Sequence, residues 1–538
     1  MNKNTTENRF ATFTVYACFF LSGAAGLIYE VLWEKYLAIY VGATALAQII
    51  VLATFMGGMA AGNYFIGKIA DKTKNPLQVY AFLEIAAGIY SLFFDSLFIL
   101  SRNIFLWTVK ATGLTLTGLT TAKITASVFS ILLPSFLLGG TMPAISKHLI
   151  RSESNIGPRI SILYFLNSIG AFFGCILAGF YLIREYGLQF SIITGATISI
   201  VVGLIAFIIS RRYSLVGKEE TSPNGETTES VKNNSLGPIC AFIILLCISI
   251  SGMVSMVYEI TWIRVLSLIL GSSTYSFSLM LATFILGLAL GGYILSLKRK
   301  QSGYQIIFGI CEILVGSIVL FSMPFYSRLP YLFNQIASSL ARQPQTFWVY
   351  QSSQFVICAL IMLVPTIIQG ITLPAATKVL TNQTTSLGKK IGLIFAVNTI
   401  GTIVGIIAAG CWGLPMLGIK GLLETAVFIN ILIGAIVLIL AKDLSMRKIS
   451  LSAGLLIVCI SISWYKCGGY EWDNDVLISG VFRTYQRIPS YKELKARAKE
   501  RSVIFYRDGM GATIAVQEIL PERKERFLSI NGKTDASL

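Results

Sequence analysis

Charge is scarce in this sequence. Only 13% of its 538 residues are charged, with 26 acidic side chains against 43 lysines and arginines. A soluble domain carries about 25% charge, so a chain that is 54% hydrophobic with a mean hydropathy of +0.71 lacks the polar surface of a water-soluble globule. Histidine is almost missing: His148 is the single copy, and it sits in a short loop, which argues against imidazole metal clusters and His-based acid–base pairs. Nine cysteines are present, but none forms a CxxC or Cys/His spacing. Cys18, Cys175, Cys240, Cys247, Cys311, Cys358, Cys411 and Cys459 lie inside apolar stretches and Cys467 stands alone, so they read as small apolar side chains. Nothing in the sequence asks for a metal or a cofactor. The net charge of +17 suggests a nucleic-acid partner only until its placement is considered. The basic residues fall in short loops between apolar runs, as the positive-inside rule produces, and no nucleic-acid partner is expected.

What the chain has in abundance is apolar runs of membrane-spanning length, about 20 residues each, and it repeats them. Ser22–Gly62 recurs as Ser251–Gly291 without a gap: Ser22, Gly23, Tyr29, Glu30, Trp33, Gly58 and Gly62 fall on Ser251, Gly252, Tyr258, Glu259, Trp262, Gly287 and Gly291. Further on, Glu84 and Gly88 match Glu312 and Gly316, and Pro134, Gly139, Thr141, Pro143 and Lys147 match Pro365, Gly370, Thr372, Pro374 and Lys378. Gly157, Asn167, Gly170, Gly174 and Gly179 fall on Gly388, Asn398, Gly401, Gly405 and Gly410. Internal repetition of this kind outranks every local signal.

Spans are expected at 11–31, 42–66, 79–101, 120–146, 160–183 and 189–210, then at 237–262, 270–296, 304–325, 350–377, 391–413 and 418–441. The first resembles a signal peptide, but its Ser-Gly opening recurs at Ser251, where no cleavage is intended, so it reads as a retained span. The expected class is an all-α polytopic membrane protein of two parallel six-helix repeats, with a small C-terminal α+β fragment. Six spans per repeat is an even number, so both repeats start on the same side, the relation between the halves of major-facilitator transporters. The expected units are 1–210, a polar cytoplasmic linker 211–236, the second repeat 237–442, a candidate thirteenth span within 443–466 and a tail 467–538. Short loops on the N-terminal side carry 21 lysines and arginines against 9 on the other side, which places the N-terminus in the cytoplasm. The apolar run 451–465 is short for a span, at about 22 Å, yet Lys442, Arg447 and Lys448 before it and Trp464-Tyr465 after it favour crossing, with the tail outside.

Carboxylates in hydrocarbon cost a few kcal/mol unless paired or hydrated. Tyr29-Glu30 and Tyr258-Glu259, near the outer ends of equivalent spans, read either as a cation- or proton-holding pair or as interfacial anchors beside Trp33 and Trp262. Glu84 and Glu312 lie deeper, as candidates for coupling or for a structural hydrogen bond. Pro134, Gly140, Thr141 and Pro143, with Pro365, Gly370, Thr372 and Pro374, interrupt matching spans, and such breaks point to a transporter's central site or to a kinked packing helix. Asn167 and Asn398 are candidates for substrate contact or interhelical bonding, and Gly58-x-x-x-Gly62 and Gly287-x-x-x-Gly291 are packing faces.

The tail changes character. Ser490-x-x-Glu493 is a capping box for a charged helix, and the stretch from Val503 to Asn531-Gly532 reads as a small antiparallel sheet, marginal by itself. The repeated SGxxxxxYExxW signature, the paired P…G(G)xTxP segments and the tail YRDGMGATIAVQE…FLSINGKTDAS together resemble the bacterial fused membrane/spermidine-synthase-like proteins. GKIADKTKNP, with Gly67, Asp71 and Lys72, is also similar to the loop between the second and third spans of major-facilitator proteins; the second half has SLKRKQSG there. The resemblance implies a transporter-like module for polyamines or other small cations, or the membrane-anchored part of an aminopropyltransferase. It also implies a separately encoded catalytic domain as partner beside the lipid bilayer, because the glycine-rich donor-binding fold that follows NGKTDAS in that family is not in this sequence. A cysteine placed at Ser222 in the linker is expected to react with an impermeant maleimide only from the cytoplasmic face; labelling from outside alone would reverse the topology.

Overall fold

The structure is a computed structural model that describes residues 3–41, 44–112, 116–150, 156–212, 237–298, 302–340, 344–381, 386–441, 444–467, 472–484, 486–519 and 525–537. The linker expected at 211–236 lies almost wholly outside the described residues. The first half comprises α1 (Lys3–Val41), α2 (Thr44–Lys72), α3 (Pro76–Leu92), α4 (Phe94–Thr112), α5 (Leu116–Gly139), α6 (Thr141–Leu149), α7 (Ile156–Ile176) and α8 (Ile183–Arg212). The second comprises α9 (Pro238–Leu270), α10 (Thr274–Ser296), α11 (Tyr304–Ser322), α12 (Leu329–Ala337), α13 (Phe347–Leu380), α14 (Leu387–Ile407) and α15 (Leu414–Ile439). Then come α16 (Leu444–Cys467), the short helices α17 (Asn474–Leu477) and α18 (Tyr491–Lys499), and strands β1 (Arg501–Asp508), β2 (Thr513–Ile519), β3 (Arg526–Ile530) and β4 (Lys533–Ser537).

Ten helical stretches among the described residues are long and apolar enough to cross a membrane, eleven if the bent α3–α4 pair is one span. Two of them, Ile156–Arg212 and Leu387–Ile439, run 57 and 53 residues, roughly 80 Å of helix against about 30 Å of hydrocarbon. Each breaks once, after a π-helical turn (Leu177–Leu182 and Ala408–Gly413), at Gly187 (φ 75°, ψ −178°) and at Gly418 (φ 66°, ψ 178°). That backbone region is open essentially to glycine alone. Divided there, and with the bent α3–α4 pair counted as one, each repeat has six helical stretches of spanning length, and α16 is a further one.

The repeats pair their helices in the same way. Within each half the first span packs on the fifth (α1 on α7, α9 on α14), the second on the fourth (α2 on α5, α10 on α13) and the third on the sixth (α3 on α8, α11 on α15). Between halves, α2 lies on α14 and α10 on α7, so the second span of each repeat meets the fifth of the other. Apolar lipid tails supply no hydrophobic drive for helix association, so close backbone approach must hold these pairs. A side chain on Gly62 would run into the Phe136 carbonyl, and one on Gly291 into that of Ile367, at repeat-equivalent points.

Three expectations need correction. The third span is not a straight helix over 79–101: α3 ends at Leu92 and α4 leaves at 56°. The apolar run continues through the bend because α4 also exposes Leu100, Ile104 and Trp107, so hydropathy alone could not locate it. In the second half the span expected at 304–325 is not one helix: α11 ends at Ser322, and a 3-10 segment (Met323–Arg328) and α12 follow it. The last apolar run is not 15 residues but part of a 24-residue helix, about 36 Å long and ample for a crossing. Its early turns carry polar residues, as when Arg447 Nη1 donates to the Ile439 carbonyl at 3.2 Å, and these hid its length. α16 ends beside the end of α11, where Trp464 stacks on Phe321 at 5.0 Å, so the tail leaves on the face opposite the N-terminus.

The tail forms a four-stranded antiparallel sheet in the order β1-β2-β3-β4. Asn531 (φ 49°) and Gly532 (φ 74°) make the two-residue turn between β3 and β4, the left-handed pair that such hairpins require. Ser490 caps α18 by accepting from the Glu493 amide at 3.2 Å, while the Glu493 carboxylate pairs with Arg497 instead of closing the box. The sheet docks on the second half. Arg264 donates to the Gly511 carbonyl at 2.5 Å and to that of Met510, Asp508 Oδ2 accepts from the Ile419 amide at 3.1 Å just past the Gly418 break, and Asn531 reaches Ser272 at 3.1 Å. Tyr506 donates to Asp508 Oδ1 at 3.0 Å, and burial beside that carboxylate pushes its phenol well above the usual range. Further along, α12 holds the tail through Asn334, which accepts from the Ile488 amide at 2.8 Å. A sheet of marginal size is thus completed by the membrane helices. Alkaline phosphatase fused after Ser479 is expected to report the face opposite to a label at Ser222; the same face for both would mean that α16 does not cross.

A central cavity between the two halves

A cavity of about 300 Å³ lies where α1, α2, α7, α9, α10 and α14 converge, with residues of α5, α6 and α13 completing its wall. Glu30 of α1 and Glu259 of α9 both line it, 6% and 4% exposed. They are within electrostatic range of each other and of Cys175. Among the described residues the lining contains no lysine, arginine, histidine or aspartate. Asn167, Asn398, Thr141 and Thr372 also line it, and so do Asn63 and Gln369, whose Oδ1 and Oε1 are buried without a hydrogen-bond partner. Both of these unpaired atoms are carbonyl oxygens and so act as acceptors. Leu52, Phe55, Met56, Met59, Phe284 and Leu288 give it apolar flanks.

Repetition explains how the two carboxylates meet. They occupy one position in two repeats related by a pseudo-twofold axis between the halves, so that axis brings both to the shared seam. They sit well inside their helices, eleven residues before Val41 and Leu270, and not near the outer ends. Their place on the cavity wall speaks for the cation- or proton-holding reading over the interfacial one. Tyr29, Trp33, Tyr258 and Trp262 are fully buried, stacked as Tyr29–Trp33 at 5.5 Å and Tyr258–Trp262 at 5.3 Å. The cluster Glu30, Glu34 and Lys35 looks like a helix end in sequence, but Glu34 and Lys35 pair at 2.8 Å and the helix continues.

Glu84 and Glu312 do not line the cavity. Each lies one side chain behind it, held by Ser22 and by Ser251 (2.6 Å), and these serines do line it. The proline segments behave differently in the two halves. The first breaks at Gly140 between α5 and α6, whereas α13 runs unbroken through Pro365 and Pro374. Thr141 and Thr372 each donate at 2.7 Å to the carbonyl three residues back, Leu138 and Gln369, while the Ser130 carbonyl that Pro134 frees accepts from Tyr90 at 3.0 Å. Gly370 packs against Leu288 and Gly140 against Ile66, so these glycines serve helix contact. Asn167 and Asn398 present their carbonyls to Gly23 and Gly252: a Cβ on Gly252 would lie 2.5 Å from Asn398 O.

Contacts bridge the halves on both sides of the cavity. Toward the N-terminal face, Asp71 accepts from the Gly388 and Lys389 amides at 3.0 and 2.7 Å, capping α14 of the other half, and pairs with Lys147 at 3.2 Å. Toward the opposite face, Cys175 donates to the Ser278 carbonyl at 3.5 Å and Ile49 packs on Gly410. Among the described residues no group of three or more His, Cys, Asp or Glu gathers as a metal site. Sequence reasoning missed Asn63, Gln369 and Asn430. A polar amide inside an apolar run was the available signal, but these three have no matching amide in the other repeat.

No family model and no curated protein matches the sequence. Solved transporter structures are similar to the chain. They include the human organic anion transporter MFSD10 (11% identity, 80% of this chain and 99% of that one, TM-score 0.46). The major facilitator superfamily transporter FucP in an outward conformation is 13% identical (81% and 97%, 0.48). The proton:xylose symporter XylE is 12% identical (85% and 96%, 0.47). The two-bundle, major-facilitator-like architecture stands on this chain's own repeat and helix pairing. Gly252→Ala is expected to force α9 from α14 and destabilise the protein by about 1–3 kcal/mol, visible as a lower Tm in detergent; an unchanged Tm would show that the contact yields.

Proposed function

We propose that this chain is a transporter of small organic cations, with Glu30 and Glu259 as the paired anionic groups of its substrate site. The observation that carries this is the cavity: two carboxylates face it and, among the described residues, no basic side chain does. A neutral or anionic solute would leave those carboxylates uncompensated in a low-dielectric site, whereas a cation neutralises them. The unpaired oxygens of Asn63 and Gln369 add acceptors for N–H donors, and the apolar flanks suit an alkyl chain. Amines, polyamines among them, combine these features. The basic bias of the loops supports a cytoplasmic N-terminus in a bacterial inner membrane, and with thirteen crossings the tail then lies outside.

A second reading takes the tail sheet, with its Asn531-Gly532 turn, as the part of an aminopropyltransferase that a catalytic domain would adjoin. It predicts aminopropyl transfer from decarboxylated S-adenosylmethionine to putrescine once such a domain is supplied; the chain alone is expected to give no product above a no-protein control.

Transport is tested in proteoliposomes with radiolabelled putrescine and tetraethylammonium, and benzoate as an anionic control. Uptake of at least one cation is expected, with Glu30→Gln and Glu259→Gln each lowering it about tenfold or more, as loss of a buried charge partner does. Equal uptake by wild type and the double variant, or uptake of benzoate instead, would sink the proposal.

A further inference from the structure

The tail braces the helix of one cavity carboxylate and not that of the other. Three attachments grip the last third of α9. Trp262, one turn beyond Glu259, donates through Nε1 to Tyr326 Oη at 3.0 Å, and the Tyr326 ring meets Trp472 of the tail edge to face at 5.7 Å. Arg264 donates to the carbonyls of Met510 and Gly511. Past the end of the helix, Phe482 packs on Gly271, where a Cβ would lie 3.0 Å from its ring, and Asn531 donates to Ser272 at 3.1 Å. The Tyr326 segment is itself tied to the tail, because Ser327 Oγ accepts from the Asp473 amide at 3.0 Å. Tyr326, Trp262 and Tyr258 are buried, and Tyr258 stacks on Trp262 at 5.3 Å. A column of rings therefore runs from Trp472 to the residue beside Glu259. The first half has the same helix without these ties. Trp33, the repeat equivalent of Trp262, has its Nε1 buried with no hydrogen-bond partner among the described residues. Counted from the matched Glu84 and Glu312, the position of Tyr326 is taken by Phe98, which brings no hydroxyl. Lys35, the match of Arg264, pairs with Glu34 and lies over Phe277 of the opposite half.

We infer that Tyr326 and Trp472 are positioning residues for Glu259, and that the tail thereby sets the affinity of the cavity for its cation. This rests on the cation-transport reading and adds to it a part of the chain that does not line the cavity. A buried indole N–H needs a partner, and the partner of Trp262 is a hydroxyl whose ring Trp472 covers. Removing that hydroxyl keeps the ring packing but orphans the indole, and the turn that joins Trp262 to Glu259 loses its fixed orientation. A cation between two carboxylates gains fully from each only when the carboxylate is already in place, because ordering it on arrival costs entropy. The column holds Glu259 in place beforehand. Glu30 lacks that brace and adjusts to the cation. The tail therefore acts on the site through Glu259, and a change at Trp472 reaches the cavity through three rings.

Two measurements on the full chain test this. Equilibrium binding of radiolabelled putrescine and tetraethylammonium in detergent gives a Kd for each cation that binds. Tyr326→Phe and Trp472→Leu are each expected to raise that Kd about fivefold, at the low end of couplings between two sites. Trp472→Phe, which keeps a ring, should recover most of the affinity lost in Trp472→Leu. In a Glu259→Gln background Tyr326→Phe should change Kd less than about twofold, whereas in Glu30→Gln it should keep its full effect; a general loosening of the fold would act alike in both. Hydrogen exchange needs no substrate: the amides of 259–270 should exchange faster in Tyr326→Phe and Trp472→Leu than in wild type, with 30–41 unchanged. Should one of these two variants fold poorly, the other decides. An unchanged Kd, equal effects in the two glutamine backgrounds, or unchanged exchange over 259–270 overturns the inference. Wild type that binds neither cation overturns the transport reading instead, and exchange over 259–270 still decides whether the tail braces α9.

Discussion

Burying a carboxylate in an apolar bundle is costly unless something answers its charge, and this molecule buries Glu30, Glu84, Glu259 and Glu312 with no ion pair to any of them among the described residues. Each is accommodated in one of two ways. Glu30 and Glu259 open on a cavity between the halves, where water or a ligand can solvate them. Glu84 and Glu312 are drawn back one side chain and held by serine hydroxyls. The cavity, the close helix crossings around it and the serines on its wall are the conditions under which these acids can be kept at all.

The pseudo-twofold axis supplies those conditions twice, and the departures from it carry the individuality of the protein. Ser199 stands where Asn430 does, so a hydroxyl takes the place of the amide that donates to Glu312. Lys35 and Arg264 are equivalents, yet Lys35 lies 5.6 Å over the Phe277 ring of the opposite half while Arg264 turns to the carbonyls of the tail sheet. Asp71 caps α14, with no aspartate in the corresponding loop of the second half. The contacts across the N-terminal face and the braced helix ends of the opposite face therefore come from different repeats. The sheet, anchored through Asp508 to the start of the outgoing arm of α15 and through Arg264 to α9, ties together helices of the second half.

By itself the sequence determined the membrane class, the six-plus-six repeat and the residues common to both halves, because hydropathy, spacing and an ungapped offset are one-dimensional properties. It also determined the hairpin at Asn531-Gly532 and the Ser490 cap, which depend on neighbours a few residues apart. Only the tertiary structure decided which repeated acid faces the cavity and which stands behind it. Glu30 and Glu84 are both lone acids in apolar runs, and what separates them is the axis that turns α1 and α9 toward the seam and leaves α3 and α11 outside it. The break at Phe93, the full burial of Trp33 and Trp262 and the docking of the tail escaped the sequence for the same reason. Hydropathy records that a segment avoids water, but not whether lipid or a neighbouring helix takes its place.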